Sequence, residues 1–274
     1  MAIAQSAPAT DAGAEIRLEN VSVSFGGRPV VAGIDLTVGS GEFVCLLGPS
    51  GCGKSTLLNV IAGFLPASSG RALVNGQPIL GPGPDRGVVF QSTEALFPWL
   101  TVRENVEYGP RVRGVPRAVR VEAAQHYLDL VGLSAAAERL PGELSGGMRQ
   151  RAQIARVLVN QPALVLMDEP FGALDAQTRE VMQRELDRIW RATRPTIVFI
   201  THDIWEAILL ADRVVTMTAG PTATFKTVAP IGIEHPRELT SPAAVELFRG
   251  LREDIAAEVS KTLQAQGLVR GVAA

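Results

Sequence analysis

Apolar and polar positions alternate along residues 16–25 and again along residues 30–38, with Gly26, Gly27, Arg28 and Pro29 between the two runs. Alternation with a period of two marks strands that bury one face, so this segment predicts an antiparallel pair. The run EFVCLLG at residues 42–48 is almost continuously apolar instead, as a strand covered on both faces must be. It leads into a glycine-rich turn and a predicted helix at residues 54–64. Strands of the same buried kind are expected at 87–90, 163–167, 196–200 and 213–217, with helical stretches interleaved. Such interleaving predicts an α/β fold in which crossover helices join parallel strands.

Between residues 91 and 145 the pattern changes. Helical stretches at 102–108 and 116–131, punctuated by Gly and Pro, predict an inserted α-helical subdomain over about residues 92–145. Its Arg111, Arg113, Arg117 and Arg120 read as a solvated basic face, with contact to a phosphate as the alternative. Residues 241–263 place Val245, Phe248, Leu251, Ile255 and Val259 at spacings of three and four, which predicts an amphipathic helix packed on the core. Residues 1–13, MAIAQSAPATDAG, have neither a basic start nor an apolar stretch and are expected to form a flexible tail. Nowhere do about 18 apolar residues run together, so any membrane role would be peripheral.

Composition narrows the classes further. With 274 residues, 46% of them hydrophobic and 20% charged, the chain can bury roughly three quarters of its unfolded surface without staples. Its two cysteines, Cys45 and Cys52, fall in a predicted strand and the following loop, with no second pair for zinc. A reducing cytoplasm is the expected home. The 26 basic and 28 acidic residues leave a net charge of −2, which offers no global field for nucleic acid. Three of the basic residues are lysines, Lys54, Lys226 and Lys261, and the other 23 are arginines. A lysine inside a sharp motif is therefore informative.

Lys54 sits in such a motif. Gly48-Pro49-Ser50-Gly51-Cys52-Gly53-Lys54-Ser55, continued by Thr56, fits a phosphate-binding loop between a buried strand and a helix. The glycines let backbone N–H groups converge on phosphate oxygens that a Cβ would crowd, and the helix aims its positive end at the same anion. Lys54 would neutralise the β- and γ-phosphates while the Ser55 hydroxyl ligates magnesium. A second element, residues 164–169, is an apolar strand ending in two carboxylates. Asp168 is placed to hold magnesium through water, and Glu169 to accept the proton of an attacking water.

The third element is Leu144-Ser145-Gly146-Gly147-Met148, ahead of an amphipathic helix. Its two glycines open a second helix N-terminus to an anion. With this the chain resembles the ATP-binding-cassette ATPases, whose signature is LSGGQ, with Met148 where Gln is usual. The resemblance runs from about Ile16 to Gly220. It implies a P-loop NTPase (RecA-like) core with a mixed sheet, an antiparallel β subdomain and an inserted helical subdomain, together spanning residues 14–240, before a C-terminal helix and tail at 241–274. It further implies that Phe25 stacks on adenine, that Gln91 reaches magnesium and the water, that Asp175 lies in an acidic loop crossing a dimer, and that His202 contacts the γ-phosphate.

Mechanistically, the resemblance implies a head-to-tail dimer in which the Lys54 loop of one subunit and the Ser145 motif of the other enclose one ATP with magnesium. Hydrolysis would remove the phosphate both halves grip and let them part. The work would fall on separate integral-membrane permease subunits, met through residues 96–101 at the cytoplasmic face of the inner membrane. An extracytoplasmic solute-binding protein would be an indirect partner, with no nucleic acid involved. The motifs together look like the importer branch for nitrate, sulfonate and taurine-like solutes. The alternatives are an importer of another solute, such as a thiamine precursor, and a non-transport cassette ATPase.

Overall fold

The computed structural model describes residues 13–92 and 95–265, so the tail expected at 1–13 lies outside it except for Gly13. Strands β1 (Ile16–Phe25) and β2 (Arg28–Val38) form the expected antiparallel pair, but the turn between them is tighter than the alternation suggests. Gly26 and Gly27 have φ of 56° and 77°, the left-handed conformation that a two-residue hairpin turn demands and a Cβ resists. Phe25 therefore pairs with Arg28. Arg28 and Pro29 are ladder residues, and the proline is tolerated because β2 lies at a sheet edge. The alternation also slips at Asn20, where an irregularity keeps both Leu18 and Val21 buried.

Strand β3 (Phe43–Leu47) is buried along its whole length and leads into α1 (Lys54–Ala62). The helix stops two residues short of the predicted end because Gly63, at φ 81°, turns its amide back to Val60 and Asn59. Strands β4 (Ser69–Val74) and β5 (Gln77–Pro78) then complete a first sheet in the order β2-β1-β4-β5. Neither strand was expected from the pattern. After β6 (Arg86–Val89) come α2 (Val102–Val112), α3 (Arg117–Leu130) and α4 (Gly146–Leu158). Thr101 and Glu104 open α2 with a reciprocal capping box, and the helix runs through Pro110, past the predicted stop.

The remaining elements are β7 (Leu164–Asp168), α5 (Ala176–Thr193), β8 (Thr196–Ile200), α6 (Ile204–Leu210), β9 (Arg213–Met217), β10 (Phe225–Pro230) and α7 (Pro242–Ala265). The second sheet has the order β10-β9-β3-β8-β7-β6, all parallel except the edge strand β10. Being central, β3 feeds two cores. Phe43, Cys45 and Leu47 pack on the helix-covered side with Trp190 and Phe199, while Val44 and Leu46 pack against α1 and the first sheet. Cys45 and Cys52 belong to opposite cores, and both are free thiols.

The arginine face of the insertion is solvated as expected, with Arg111, Arg113 and Arg117 exposed and Arg120 half-buried, and three of the four also meet neighbours at the surface. Arg120 Nε lies 3.0 Å from Glu107 Oε2, Arg113 Nη2 donates to Asn160 Oδ1 at 3.0 Å, and Arg111 lies over the Tyr108 ring at 5.2 Å.

Helix α7 docks on α6 and β9, but its contact stripe is rotated from the predicted one. Phe248, Leu251 and Ile255 do pack on the core, with Phe248 stacked on Trp205 at 4.2 Å. Ala244 and Glu258 take the places expected for Val245 and Val259. Glu258 is 2% exposed, accepts from the Ala219 amide at 2.8 Å, and lies 2.7 Å from Lys261 Nζ and 3.3 Å from Lys226 Nζ. Burial alone would raise its pKa, but the amide and the two ammonium groups outweigh it and bring the carboxyl down to about 2. A carboxyl held below its ordinary 4.5 stabilises the fold above that value and loses the effect as pH falls toward the folded-state value. Glu258→Gln is therefore expected to cost about 2 kcal/mol at neutral pH, read in thermal melts. The gap to the parent should shrink by more than about half by roughly pH 3, and an undiminished gap there would contradict the docking role.

Candidate functional site

Parallel strands deliver their following loops to one edge of the sheet, and in this topology the loops after β3, β6, β7 and β8 all emerge at the carboxyl edge. The loop after β3 closes over Lys54. The residue is 8% exposed, and its ammonium donates to the carbonyls of Gly48 at 2.8 Å and Pro49 at 2.9 Å. Gly53 has φ 92°, and a Cβ there would come 2.6 Å from Val31. The residue must be glycine for the loop to lie against β2. Ser50, Gly51 and Ser55 are exposed, Thr56 is half-buried, and the Pro49 ring is buried. The Cys52 side chain is buried, 1% exposed, packing on the core with its sulfur 3.8 Å from the Lys54 ammonium.

Asp168 ends β7 beside the Ser55 hydroxyl. Burial pushes its carboxyl up, a hydrogen bond with Ser55 and the charge of Lys54 oppose this, and the neighbouring Glu169 adds to it. A partly buried acid with a hydroxyl beside it is an oxygen-only donor set, the kind that suits magnesium. Among the described residues no group of three or more His, Cys, Asp or Glu is arranged to hold a metal. An ion here would therefore rely on phosphate oxygens as well as on Asp168 and Ser55.

Glu169 follows with φ 46°, a left-handed backbone that costs a non-glycine residue of order 1–3 kcal/mol and recurs at functional sites. It is held there by its own amide, which donates to Ile200 at 3.0 Å, and by Gly172, whose amide donates back to its carbonyl at 3.1 Å. The twist brings three residues predicted from sequence together. Gln91 Nε2 donates to Glu169 Oε2 at 3.2 Å, and His202 Nδ1 lies 3.4 Å from the same oxygen. The carboxylate is thus flanked by the Gln91 amide and the His202 ring and is open enough to meet a substrate water.

Ser145, Gly146, Gly147 and Asp175 form a second cluster. Ser145 caps α4 by accepting from the Met148 amide at 3.3 Å, and the Met148 side chain packs on the core. The cap thus needs the backbone at this position and not a glutamine side chain. A Cβ on Gly147 would press on Leu174 at 3.2 Å, whereas one on Gly146 would meet open space. Asp175 caps α5 by accepting from Thr178 at 3.0 Å. Helix α4 packs on α2, α3 and β6, while α1 packs on β4, β7 and β8, so the Ser145 turn and the Lys54 loop stand on different parts of the subunit. Phe25, 52% exposed at the tip of the first hairpin, has a free ring for stacking.

The pattern along the chain did not reveal what holds the Gln91 loop. Three residues along α4 grip its backbone: Gln150 Nε2 donates to Phe90 at 3.3 Å, Gln153 Nε2 to Ser92 at 2.7 Å and Arg156 Nη1 to Ala95 at 2.6 Å. Their spacing of three was the available signal, and it reads equally well as the wet side of an amphipathic helix. The apolar stretch at 96–101 divides. Leu96 is buried and Phe97 lies under Arg156 at 4.2 Å, leaving Trp99, 71% exposed, stacked on Phe97 at 5.5 Å. A groove of about 410 Å³ opens beside these residues, lined by Phe90, Tyr108, Val112, Gln153 and Arg156 among others.

The model of the family described as ABC transporter matches residues 31–172. The nitrate import ATP-binding protein of Synechococcus elongatus is 49% identical over 207 residues, 75% of this chain and 75% of that one. The taurine import ATP-binding protein of Chromobacterium violaceum is 46% identical over 251 residues, 90% of this chain and 96% of that one. A solved dimer of an ATP-binding cassette in a post-hydrolysis state, bound to ADP and phosphate, matches with a TM-score of 0.70 at 29% identity. That match covers 80% of this chain and 100% of the solved one. A phosphate loop, a strand-end carboxylate pair and a capped Ser-Gly-Gly turn on the expected fold agree with these likenesses: the chain belongs to the ABC transporter family, as an ATP-binding subunit that hydrolyses ATP.

Proposed function

We propose that this subunit powers import of a small solute of the nitrate, sulfonate or taurine kind through separate permease subunits, from the cytoplasmic face of the membrane. The observation that carries the catalytic part is the convergence of Gln91, Glu169 and His202 on one carboxylate oxygen beside the Lys54 loop. In this reading Glu169 takes the proton of the attacking water, while His202 and Gln91 orient the γ-phosphate and the water. Lys54 and the backbone N–H groups of residues 48–56 other than Pro49 bind the phosphates, and Asp168, Ser55 and Gln91 hold magnesium, which supplies charge neutralisation when bound. Phe25 stacks on the base.

Two copies would assemble head to tail, each bringing Ser145, Gly146 and Gly147 and the Asp175 loop to the other's nucleotide. The open space over Gly146 supports this, because a partner's phosphate can come close to the α4 N-terminus there. Residues 14–240 would form the cassette, with 92–145 as its helical subdomain, and 241–274 an appended helix and tail. Residues 266–274 lie outside the described part of the chain.

The permease is assigned to the groove beside Phe90 and to the exposed Trp99. Among the described residues no helix is long and apolar enough to cross a membrane, so a separate membrane partner fits. The solute class rests on the relatives, whose names specify nitrate and taurine import. An extracytoplasmic binding protein that delivers the solute completes the scheme.

Removing the base while keeping its shape, Glu169→Gln, is expected to leave ATP binding within about threefold, trap the dimer and cut hydrolysis by about 10² or more. Normal turnover in that variant would refute the assignment of the base. For the shared site, a linked dimer carrying Ser145→Arg in one half and Lys54→Ala in the other keeps one intact composite site. It should retain about half the parental ATPase rate, whereas both changes in the same half should abolish turnover, because each then damages a different one of the two shared sites. A linked dimer with Lys54→Ala in both halves is the inactive control, and equal inactivity of the mixed dimer would count against sharing.

A further inference from the structure

Behind Glu169 and His202 lies a small pocket of about 40 Å³ that Arg179, Thr201 and Glu206 also line. Glu206 is 5% exposed, and a carboxylate is not withdrawn from water cheaply unless partners meet it. They come from two directions. Gln183 Nε2 on α5 donates to Glu206 Oε1 at 2.9 Å, and Arg179, four residues earlier on the same helix, acts on it through charge. From the other side comes a hydrogen bond with the Thr201 side chain.

These two sets of partners lead to different loops. Arg179 Nη2 donates to the Leu174 carbonyl at 3.0 Å, next to Asp175, the N-cap of α5. Thr201 precedes His202, and its hydroxyl oxygen accepts from the Asp203 amide at 3.0 Å. Asp203 in turn caps α6, accepting from Trp205 at 2.9 Å and Glu206 at 3.3 Å. Burial pushes the Glu206 carboxyl up, against the pull of Thr201 and Gln183. An apolar side chain of similar size would fill this junction at a lower desolvation cost, so a buried acid here speaks for defined geometry more than for stability.

We propose that Glu206 is a positioning residue for ATP hydrolysis, setting the spacing between the loop that bears His202 and the loop that bears Asp175. It touches no nucleotide. It acts through Thr201 on one side and through Gln183 and Arg179 on the other, and the inference rests on the proposed placement of His202 and Asp175 at the closed site.

The test measures kcat for ATP hydrolysis and Kd for magnesium ATP on the full-length chain assembled with its permease. Glu206→Ala is expected to lower kcat about tenfold or more with Kd changed less than about threefold. Glu206→Gln, which still accepts from Gln183 and meets Thr201, should recover to within about threefold of the parent. Gln183→Ala should slow turnover in the same direction, and adding it to Glu206→Ala should cost less than a further factor of about two, as for members of one contact network. Parental kcat in Glu206→Ala alongside an inactive His202→Ala overturns the inference and leaves the site assignment standing. Parental kcat in both overturns the assignment on which it rests. Glu206→Gln as slow as Glu206→Ala, or parallel losses in kcat and Kd, overturns the positioning role. If Glu206→Ala does not fold, parental kcat in Gln183→Ala overturns it.

Discussion

An ammonium group held inside a loop needs acceptors, and Lys54 finds them in the carbonyls of Gly48 and Pro49. Among the described residues it makes no ion pair with a carboxylate. Its charge is thus kept for an anion, and the surrounding fold can be read as what makes that arrangement tolerable. The loop stays close to β2 because Gly53 leaves no Cβ to collide with Val31. It is anchored by β3, which is buried on both faces and pinned between β8 and β9. A rigid strand on one side and a helix N-terminus on the other leave the lysine little freedom, which is the condition for binding phosphate without first ordering the site.

The same sheet edge carries residues that must move relative to one another if nucleotide binding is to do work. Gln91 is exposed and its loop is carried by the α4 side chains Gln150, Gln153 and Arg156, on the helix that begins at Ser145. A displacement of that helix would therefore carry the Gln91 loop with it, and the groove beside Phe90 lies in the path. The physical link is a set of hydrogen bonds to backbone carbonyls, which is insensitive to the loop's own side chains.

Much of this was legible along the chain because the chemistry and the burial each impose a spacing. The strands at Ile16–Phe25, Thr196–Ile200 and Arg213–Met217 were read to the residue, since continuous or strictly alternating burial leaves a clean trace. The Lys54 loop and the Asp168–Glu169 pair were legible because phosphate and a metal fix which residue types stand next to each other. Strand β4 escaped because its first half is exposed and does not alternate, and β10 because a lysine and a terminal proline disguise an edge strand. In α7 the polar Glu258 occupies a core-facing position that an apolar stripe cannot announce. The supports of the site were the least visible of all. Gln153 and Ser92 are 61 residues apart, and Gln183 and Glu206 are 23 apart on separate helices, so only the folded chain brings them into register.

The scarcity of lysine has a practical side. Lys54 is sequestered inside its loop, while Lys226 and Lys261 both clasp Glu258 at the seam between α7 and the sheet. Amine-directed labelling of the folded subunit thus has two side-chain targets in the described structure, both at that seam. The extent of acylation there becomes an intrinsic gauge of whether the C-terminal helix is seated, independent of any engineered tag.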